Sequence, residues 1–328
     1  MSTAPTQATV LCAAMASLSS LPIVDGAEVA RLLPYAALVD ALDAAHRAPE
    51  ALVRRLIYGP DGSDQGFMGL PAWVPGEAIG VKLVTIFPEN TGPDHPTVQA
   101  VYVLFDGTNG APLALIDGTE LTYRKTACDS ALGARYLARD DARTLLMVGA
   151  GGLGEHLIGA HRAVRPTIER VLVWNRGRAR AEALAARVGG TVVDDLDAAV
   201  AEADVISTAT RSAEPIVKGA ALREGTHLDL VGSYLPDQRE IDDDVVRRAR
   251  LYVDSRLAPL HECGDLVIPL LAGLITEDDI VGDLYQLARG DVAGRTDADS
   301  ITAFENGGGG HLDLMTARFA WQQASAGR

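Results

Sequence analysis

The feature that most constrains this chain is a glycine-rich turn between an apolar strand and a helix. The turn reads Gly149-Ala150-Gly151-Gly152-Leu153-Gly154; an apolar run over 145–148 enters it and a helical pattern over 153–164 leaves it. The first glycine of such a turn permits a tight bend, the second lets the backbone approach a pyrophosphate, and the third lets the helix pack close to the strand. The phosphates then lie at the positive end of the helix. The sequence predicts a Rossmann-type dinucleotide site at Gly149, Gly151, Gly152, Leu153 and Gly154; a glycine loop without a ligand is the alternative.

The strand after this turn indicates which dinucleotide is bound. It ends Trp174-Asn175-Arg176-Gly177-Arg178, with two arginines and no carboxylate. NAD-dependent enzymes usually carry an acid here, on the ribose 2′-hydroxyl, whereas a 2′-phosphate is bound by cationic donors. Asn175, Arg176 and Arg178 therefore predict NADP(H) in preference to NAD(H), with use of NAD(H) left open. The alternative is that both arginines are solvated residues at a helix start.

Strand and helix patterns alternate along the second part of the chain, from about residue 139 to residue 305. Strands are predicted at 144–148, 171–174, 191–193, 205–208, 227–231 and 251–253, which indicates βαβ units and a parallel sheet covered on both faces. Residues after the strands at the switch point of such a sheet bind the ligand. The candidate cofactor contacts there are Thr208, Ala209, Thr210, Val231, Gly232 and Ser233.

The region before the glycine turn has a different pattern. Helices are predicted at 25–33, 35–47 and 121–138, with short strands at 55–58, 66–70, 79–86, 98–106 and 112–117. This succession is typical of an α+β domain with a mostly antiparallel sheet. The last segment, 310–323, is helical in pattern and could pack back on this domain. We therefore expect a chain of class α/β with a flexible extension over 1–21, a discontinuous α+β domain over 22–138 plus 306–328, and a Rossmann NADP-binding domain over 139–305.

Composition disfavours several classes of protein. A net charge of −15 and only 5% aromatic residues argue against nucleic-acid binding. Cys12, Cys128 and Cys263 are too sparse for a disulfide framework and lack metal-ligand spacing, so we expect a cytoplasmic protein without a metal site. No run approaches the roughly 20 apolar residues of a membrane span. The apolar stretch 10–21 lacks the basic flank of a secretory signal.

Several separate motifs, in one order, resemble those of the ornithine cyclodeaminase/μ-crystallin family. They are Val81-Lys82-Leu83-Val84-Thr85, Pro96-Thr97-Val98-Gln99-Ala100, Leu121-Thr122-Tyr123-Arg124-Lys125-Thr126-Ala127, the glycine turn, Asn175-Arg176, Val231-Gly232-Ser233-Tyr234-Leu235-Pro236-Asp237-Gln238-Arg239-Glu240 and Leu251-Tyr252-Val253-Asp254-Ser255. The resemblance runs from about Pro22 to the C-terminus. It implies a homodimer in which the discontinuous first domain forms the interface and holds the substrate. It also implies hydride transfer between a nicotinamide and the α-carbon of an amino acid or its imine.

The resemblance assigns candidate substrate residues in the first domain. Lys82 resembles the family's active-site lysine, and a lysine within an apolar strand is costly unless it faces a ligand; an edge-strand lysine facing water is the alternative. Arg55 resembles the arginine that binds the substrate carboxylate, and a one-residue misalignment would exchange it with Arg54. Thr97 resembles a substrate-contacting threonine. His95 is close to Thr97 in sequence and is a further candidate proton donor, although turn histidines are commonly solvated.

This sequence departs from the family pattern at three places. Lys125 stands where the family usually has arginine, so either Lys125 or the preceding Arg124 is the candidate carboxylate clamp, and a lysine cannot make the bidentate fork. Tyr234 and Gln238 stand at the positions of the acid and the lysine that cyclodeaminases use for ring closure, and neither is a good base near neutral pH. The run Gly307–Gly310 lies in place of a Lys-Ser-x-Gly pattern. It either cradles the nicotinamide or a substrate anion, or links the last helix.

The resulting hypothesis is NADPH-dependent reduction of a small cyclic 2-carboxylate imine. Δ1-pyrroline-2-carboxylate or Δ1-piperideine-2-carboxylate would give L-proline or L-pipecolate. Such a substrate needs a cationic clamp on its carboxylate and a proton source at its nitrogen, and it needs no ring-closing base. The alternatives are an ornithine or lysine cyclodeaminase, an NAD(P)-dependent amino-acid dehydrogenase, and a non-catalytic nicotinamide-nucleotide binding protein such as some μ-crystallin members.

Overall fold

The structure, a computed structural model, describes residues 21–90 and 95–326 of the chain. Cys12 and all but the last residue of the predicted N-terminal extension lie outside the described residues. Within the described ranges, none of the helices combines the length and apolar character needed to cross a membrane.

The helices and strands of the described part follow the predicted succession. The helices are α1 (Gly26–Leu32), α2 (Tyr35–His46), α3 (Gly118–Leu137), α4 (Gly152–Val164), α5 (Arg178–Val188), α6 (Leu196–Glu202), α7 (Asp243–Arg248), α8 (Gly264–Leu271), α9 (Leu284–Arg289) and α10 (Gly310–Ala326). The strands are β1 (Ile23–Val24), β2 (Leu52–Val53), β3 (Leu56–Tyr58), β4 (Gly66–Val74), β5 (Ala78–Ile86), β6 (Val98–Asp106), β7 (Pro112–Asp117), β8 (Thr144–Val148), β9 (Arg170–Trp174), β10 (Thr191–Val192), β11 (Val205–Thr208), β12 (His227–Leu230), β13 (Ala249–Val253), β14 (Ile280–Asp283) and β15 (Ile301–Glu305). The bounds of β6, β7, β8 and β11 are those predicted.

The first sheet is built from β1 to β7. Its order is β1-β7-β6-β5-β4-β2, with β3 also on β4, and every pairing is antiparallel except that of β1 with β7. Because side chains alternate along a strand, one face of β5 carries the buried residues Gly80, Lys82 and Val84. The predicted α+β arrangement with a mostly antiparallel sheet is therefore confirmed.

The second sheet is parallel, as the alternation predicted. Its order is β10-β9-β8-β11-β12-β15-β13-β14. The strand order reverses direction between β8 and β11, which places the ends of these strands at the crevice where parallel sheets bind ligands. Buried apolar residues cover both faces of this sheet in two separate clusters. One of the clusters continues into the first domain.

The end of β4 differs from the prediction, which stopped the strand at Leu70. The strand continues through Pro71 to Val74. Pro71 has no N–H to donate, and it lies opposite the break between β2 and β3, where only its carbonyl oxygen is used, by the Arg54 N–H at 3.2 Å. The break that tolerates the proline also leaves Arg55 outside the strand ladder.

The C-terminal helix returns to the first domain. Helix α10 packs against α2, α3, β4 and β5, although it follows the last strand of the parallel sheet. Helix α3 spans the junction, and Phe304 of β15 lies 2.7 Å from the point where a Cβ on Gly133 would stand. The two sheets are thereby held around a cleft that has α10 and β5 on one side and the ends of the parallel strands on the other.

Four strands were not predicted: β1, β2, β14 and β15. Strands β1 and β2 have two residues each, which is too short for a periodic pattern. Strand β14 contains a glycine and lies at the edge of the parallel sheet, on β13. Short edge strands carry little sequence signal because one side of the strand is unpaired.

Candidate functional site

The glycine turn has the geometry of a phosphate-binding loop. Gly149 has a φ of 112°, and a Cβ there would lie 2.7 Å from the carbonyl oxygen of Ala209. Both facts require glycine at this position. A Cβ on Gly154 would lie 3.0 Å from Leu184, so the helix closely approaches its neighbour.

The centre of the turn is open toward the cleft. A Cβ on Gly151 would meet no atom within 4 Å, whereas one on Gly152 would lie 2.7 Å from the hydroxyl of Tyr123. Gly151 caps α4 without a side-chain hydrogen bond, and the first N–H groups of a helix have no intrahelical acceptor. These groups and the positive end of the helix fit the pyrophosphate of a dinucleotide.

The three candidate residues after β9 have different environments. The Asn175 side chain accepts from the Ala150 N–H at 3.1 Å and donates to the Gly177 carbonyl at 2.9 Å, so it braces the glycine turn. Arg176 is exposed. Arg178 is paired with Glu182 and with Asp194. Its charge is therefore already compensated in this structure.

The candidate cofactor contacts at the ends of β11 and β12 are held in place by the carboxylate of Glu240, which was not among the predicted site residues. Glu240 accepts from the hydroxyls of Thr208 at 2.7 Å and Thr210 at 2.6 Å, and from the N–H groups of Thr210 and Gly232 at 2.6 and 2.8 Å. Ser233 is also buried, and its hydroxyl donates to the Gln238 carbonyl. The Thr208 and Ser233 side chains therefore hold the ends of the two strands in place through buried hydrogen bonds.

Two more buried acids lie behind Glu240. Burial raises the pKa of Asp265 to about 7, and burial together with Asp265 and Glu240 raises the pKa of Glu305 well above its usual range. Asp265 accepts the N–H groups of Glu240 and Ile241 at 2.8 and 3.0 Å. Asp265 thereby holds the loop 231–240 in place, and its own N–H donates to the Ser233 hydroxyl at 2.9 Å.

On the facing side of the cleft, Lys82 is buried with an acid from the C-terminal helix. Its ammonium lies 3.0 Å from the Asp313 carboxylate and 3.3 Å from the Thr122 hydroxyl. Lys82 is 6% exposed and Asp313 is fully buried. Burial lowers the pKa of Lys82, and Asp313 opposes this shift. Tyr102, directly across the strands from Lys82, is buried as well.

Lys125 lies in the same interior under the glycine run. Its Nζ is 2.8 Å from the point where a Cβ on Gly308 would stand, and Gly308 has a φ of 67°. The Gly308 N–H donates to Asp254 at 2.6 Å. Burial raises the pKa of Asp254 to about 7, against the pull of Lys125, and it also raises that of Asp129. The Gly307–Gly310 run thus forms one wall of a cationic interior.

Arg124 is engaged elsewhere. Its guanidinium donates to Glu120 at 2.7 Å and to the Leu33 carbonyl at 2.8 Å, and it lies over the Tyr35 ring at 4.8 Å. Of the two candidates for the clamp, Lys125 is therefore the one that the structure brings toward Lys82, whose pKa its charge lowers.

Arg55 and Arg54 also have different partners. Arg55 forms an ion pair with Glu262, which lies in the loop after β13, and its charge acts on Lys82. Arg54 donates to the carbonyl of the preceding Val53. Arg55 therefore reaches across the cleft, whereas Arg54 is bonded to its own strand.

Thr97 and His95 lie at the rim. The Thr97 hydroxyl donates to the Asn90 carbonyl at 2.9 Å, and His95 is exposed. Within the described part of the chain, neither side chain hydrogen-bonds to Lys82, whose partners are Thr122 and Asp313. Residues 91–94, beside both, are outside the described range.

The relatives of this chain agree with the fold. The model of the ornithine cyclodeaminase/mu-crystallin family matches residues 29–328. A Delta(1)-pyrroline-2-carboxylate reductase from Paracoccus denitrificans is 43% identical over 286 residues, which is 86% of this chain and 90% of that protein. The prediction of an NAD(P)H-dependent oxidoreductase is thereby confirmed at the level of enzyme class.

Two solved structures share the architecture. The Delta(1)-pyrroline-2-carboxylate reductase of Thermococcus litoralis, in complex with NADH and L-proline, is 31% identical with a TM-score of 0.87, covering 94% of this chain and 98% of that one. The iminosuccinate reductase of Paracoccus denitrificans, in complex with NAD+, is 28% identical with a TM-score of 0.84, covering 94% and 97%. The predicted Rossmann domain is confirmed, and the chain belongs to the ornithine cyclodeaminase/mu-crystallin family.

Proposed function

We propose that this protein reduces a small cyclic 2-carboxylate imine, Δ1-pyrroline-2-carboxylate or its six-membered homologue, at the expense of NADPH. The observation that carries the proposal is the buried Lys82–Asp313 pair, with Lys125 close enough for its charge to lower the pKa of Lys82. The products are L-proline or L-pipecolate. The similarity to reductases named for pyrroline-2-carboxylate supports the five-membered ring first.

The charges of the cleft support a carboxylate-bearing substrate. Lys125 and Lys82 are both almost fully buried, and Arg55 adds its charge from the rim. Buried cations are stable only with an anion or polar partners, and a substrate carboxylate supplies one. We assign the carboxylate to Arg55 and Lys125.

Lys82 is the proposed proton donor. A reduced nicotinamide, when bound, supplies a hydride to the imine carbon, and the imine nitrogen must gain a proton as the C=N bond becomes C–N. Burial lowers the pKa of Lys82 and so makes its ammonium a stronger acid. Asp313 and Thr122 hold the ammonium in place, and Asp313 keeps it charged until the proton is transferred.

The residues at the cyclodeaminase positions argue against ring closure. Tyr234 is 47% exposed, and Gln238 is buried with no titratable group. A general base for a side-chain amine needs a group that accepts a proton near neutral pH. The reductase is therefore favoured over a cyclodeaminase.

NADPH is the proposed cofactor, with NADH as the alternative. Asn175 replaces the acid expected of an NAD site, and the exposed Arg176 is free to meet a 2′-phosphate if its side chain turns inward. Arg178 would have to exchange Asp194 for the phosphate. The complexes of the two solved relatives contain NADH and NAD+, which favours testing both cofactors side by side.

A homodimer through the first sheet is also proposed, with 22–138 plus 306 to the C-terminus as the substrate-binding and dimerisation domain. The face of this sheet opposite α10 exposes large apolar side chains. They are Leu56 at 46%, Tyr58 at 59%, Phe67 at 41%, Trp73 at 46% and Val101 at 38% exposure. A contiguous apolar patch of this kind is typical of a permanent interface.

The test is a substrate panel with both cofactors. Purified protein is mixed with NADPH or NADH and with Δ1-pyrroline-2-carboxylate, Δ1-piperideine-2-carboxylate or ornithine, and the absorbance of the reduced nicotinamide is followed. Oxidation with either cyclic imine is expected, with a lower KM for NADPH. Ammonia release from ornithine without added imine would favour the cyclodeaminase, and a lower KM for NADH would overturn the cofactor assignment.

A further inference from the structure

The rim of the cleft contains an ion pair that the proposed reaction does not use. Arg55, proposed for the substrate carboxylate, is paired through one terminal nitrogen, Nη1, with Oε2 of Glu262. Both side chains are about a third exposed, at 34% and 35%, so the pair lies at the opening rather than in the core. An arginine offers five N–H donors, so Arg55 can keep Glu262 on one edge and bind a carboxylate on the other.

Glu262 is held at this place by its loop. Its N–H donates to the Ala258 carbonyl at 2.8 Å, which closes a tight turn. Pro259, in the same turn, lies 2.7 Å from where a Cβ on Gly307 would stand. The loop therefore packs directly on the glycine run that forms the wall beside Lys125. The backbone of Glu262 is thus fixed next to this wall, with its carboxylate on Arg55.

The charges around the substrate space nearly cancel. Three cations contribute, Arg55, Lys82 and Lys125, and two carboxylates oppose them, Asp313 and Glu262. The remainder is a single positive charge. Such a site is matched to a substrate with one carboxylate, because a second carboxylate would lack a cation and would face Glu262.

The other buried acids nearby, Asp129 and Asp254, do not make the site more favourable for a substrate with two carboxylates. Burial raises the pKa of Asp129 and raises that of Asp254 to about 7, so these two side chains carry at most part of a negative charge near neutral pH. Any charge that they do carry reduces the positive remainder further.

We propose that Glu262 is a specificity-determining residue that restricts this site to imines with one carboxylate. It acts by occupying Arg55 and by repelling the second carboxylate of imines such as iminosuccinate. Specificity by repulsion of the wrong ligand is common where two substrates share most of their contacts. This inference rests on the proposed function, because Arg55 must be the carboxylate-binding residue. Solved structures similar to this one are named as reductases of both kinds of imine, pyrroline-2-carboxylate with one carboxylate and iminosuccinate with two.

The experiment compares four proteins: the wild type, E262Q, E262D and E50Q. E262Q removes the charge, E262D keeps it, and E50Q removes the charge of Glu50, which lines a neighbouring cavity with His311. Two readouts are taken in the presence of NADP+ or NADPH. One is the ratio of the affinities for L-proline and for L-aspartate, measured by competition. These two stable amino acids carry one and two carboxylates. The other is kcat/KM for Δ1-pyrroline-2-carboxylate and for iminosuccinate formed from oxaloacetate and ammonium.

In E262Q the preference for the monocarboxylate should fall about tenfold or more in both readouts, which corresponds to the removal of one close like-charge contact. E262D and E50Q should stay within about twofold of the wild type. An unchanged ratio in E262Q, or an equal loss for both ligand classes, overturns the proposal. If E262Q were poorly folded, E262S must give the same change of ratio. Should the wild type reduce no imine while the binding ratio still shifts in E262Q, the proposed function fails and the role of Glu262 stands.

Discussion

The ammonium of Lys82 lies 3.0 Å from the carboxylate of Asp313, a residue 231 positions later in the chain. The first is on β5 and the second is in the first turn of α10, so the pair exists only because the C-terminal helix returns to the first sheet. This contact joins the C-terminal helix to the proposed chemistry at Lys82.

The substitution D313N should lower kcat and move the alkaline limb of the pH–rate profile to lower pH. The acid form of Lys82 is required, so activity is lost as pH rises through its pKa; Asp313 raises that pKa, and its removal lowers it. A pH profile of kcat measures the shift, with the cofactor Kd as the check on folding. An alkaline limb that stays in place would show that Lys82 is not the acid.

The substitution K82M should lower kcat by about 10²–10⁴-fold, the usual worth of a general acid, with little change in the cofactor Kd. Stopped-flow kinetics and titration of NADPH fluorescence separate the two effects. Weakened cofactor binding with an unchanged kcat would place Lys82 outside the chemistry.

Substitutions of the two neighbouring cations of α3, Arg124 and Lys125, should have very different effects on KM. K125M should raise KM for the imine by about tenfold or more, because it removes a buried cation proposed to bind the carboxylate. R124A, the matched control, should lower Tm while leaving KM within about twofold, since Arg124 is bonded to Glu120 and the Leu33 carbonyl. The reverse pattern would make Arg124 the clamp.

Two glycines of the phosphate-binding turn offer another matched pair. G151V should keep Tm and weaken NADPH binding by at least about tenfold, because the new side chain enters open space that the pyrophosphate would occupy. G149A should also lower the free energy of unfolding, by about 1–3 kcal/mol, because its φ of 112° and the nearby Ala209 oxygen strain any side chain. Calorimetry with and without NADPH measures both. Unchanged NADPH affinity in G151V would contradict the assignment of the site.

Stability should depend on pH through Asp254. Its pKa is raised to about 7 in the folded protein, from an ordinary value of 3.8, so its neutral form favours folding below about pH 4 and this contribution is lost as pH rises through about 7. D254N cannot ionise, so its Tm relative to the wild type should rise over this interval. Thermal unfolding of both proteins across the pH range measures the difference; a constant difference would mean that Asp254 is ionised throughout.

The parts of the site that were predictable are those specified locally. The turn at Gly149–Gly154 needs only its own glycines and the strand and helix beside it, and the structure has both elements where the pattern predicted them. Lys82 was selected from its resemblance to the family's active-site lysine, and it is buried rather than facing water from an edge strand. The strands with clear alternation were also found to within a few residues.

The partners of these residues were not predictable, because they depend on contacts between distant segments. Asp313 is in the first turn of a helix, where an acid is ordinarily read as a favourable charge for the helix dipole. Glu262 lies in an irregular loop 207 positions from Arg55. Glu240 was within a quoted motif, but only the fold reveals that it accepts hydrogen bonds from two segments, 208–210 and Gly232. A signal was present at Asp313, since it stands between buried leucines, yet periodicity alone does not name the partner of a buried acid.

The most direct test follows the hydride itself. NADPH carrying deuterium at C4 of the nicotinamide, in each stereochemical form, is incubated with Δ1-pyrroline-2-carboxylate and the protein, and the proline is examined by mass spectrometry and NMR. One of the two forms should give L-proline with a single deuterium at Cα, and K82M should form this product much more slowly. Proline without deuterium from both forms, or no proline at all with either NADPH or NADH, would contradict the proposed reaction.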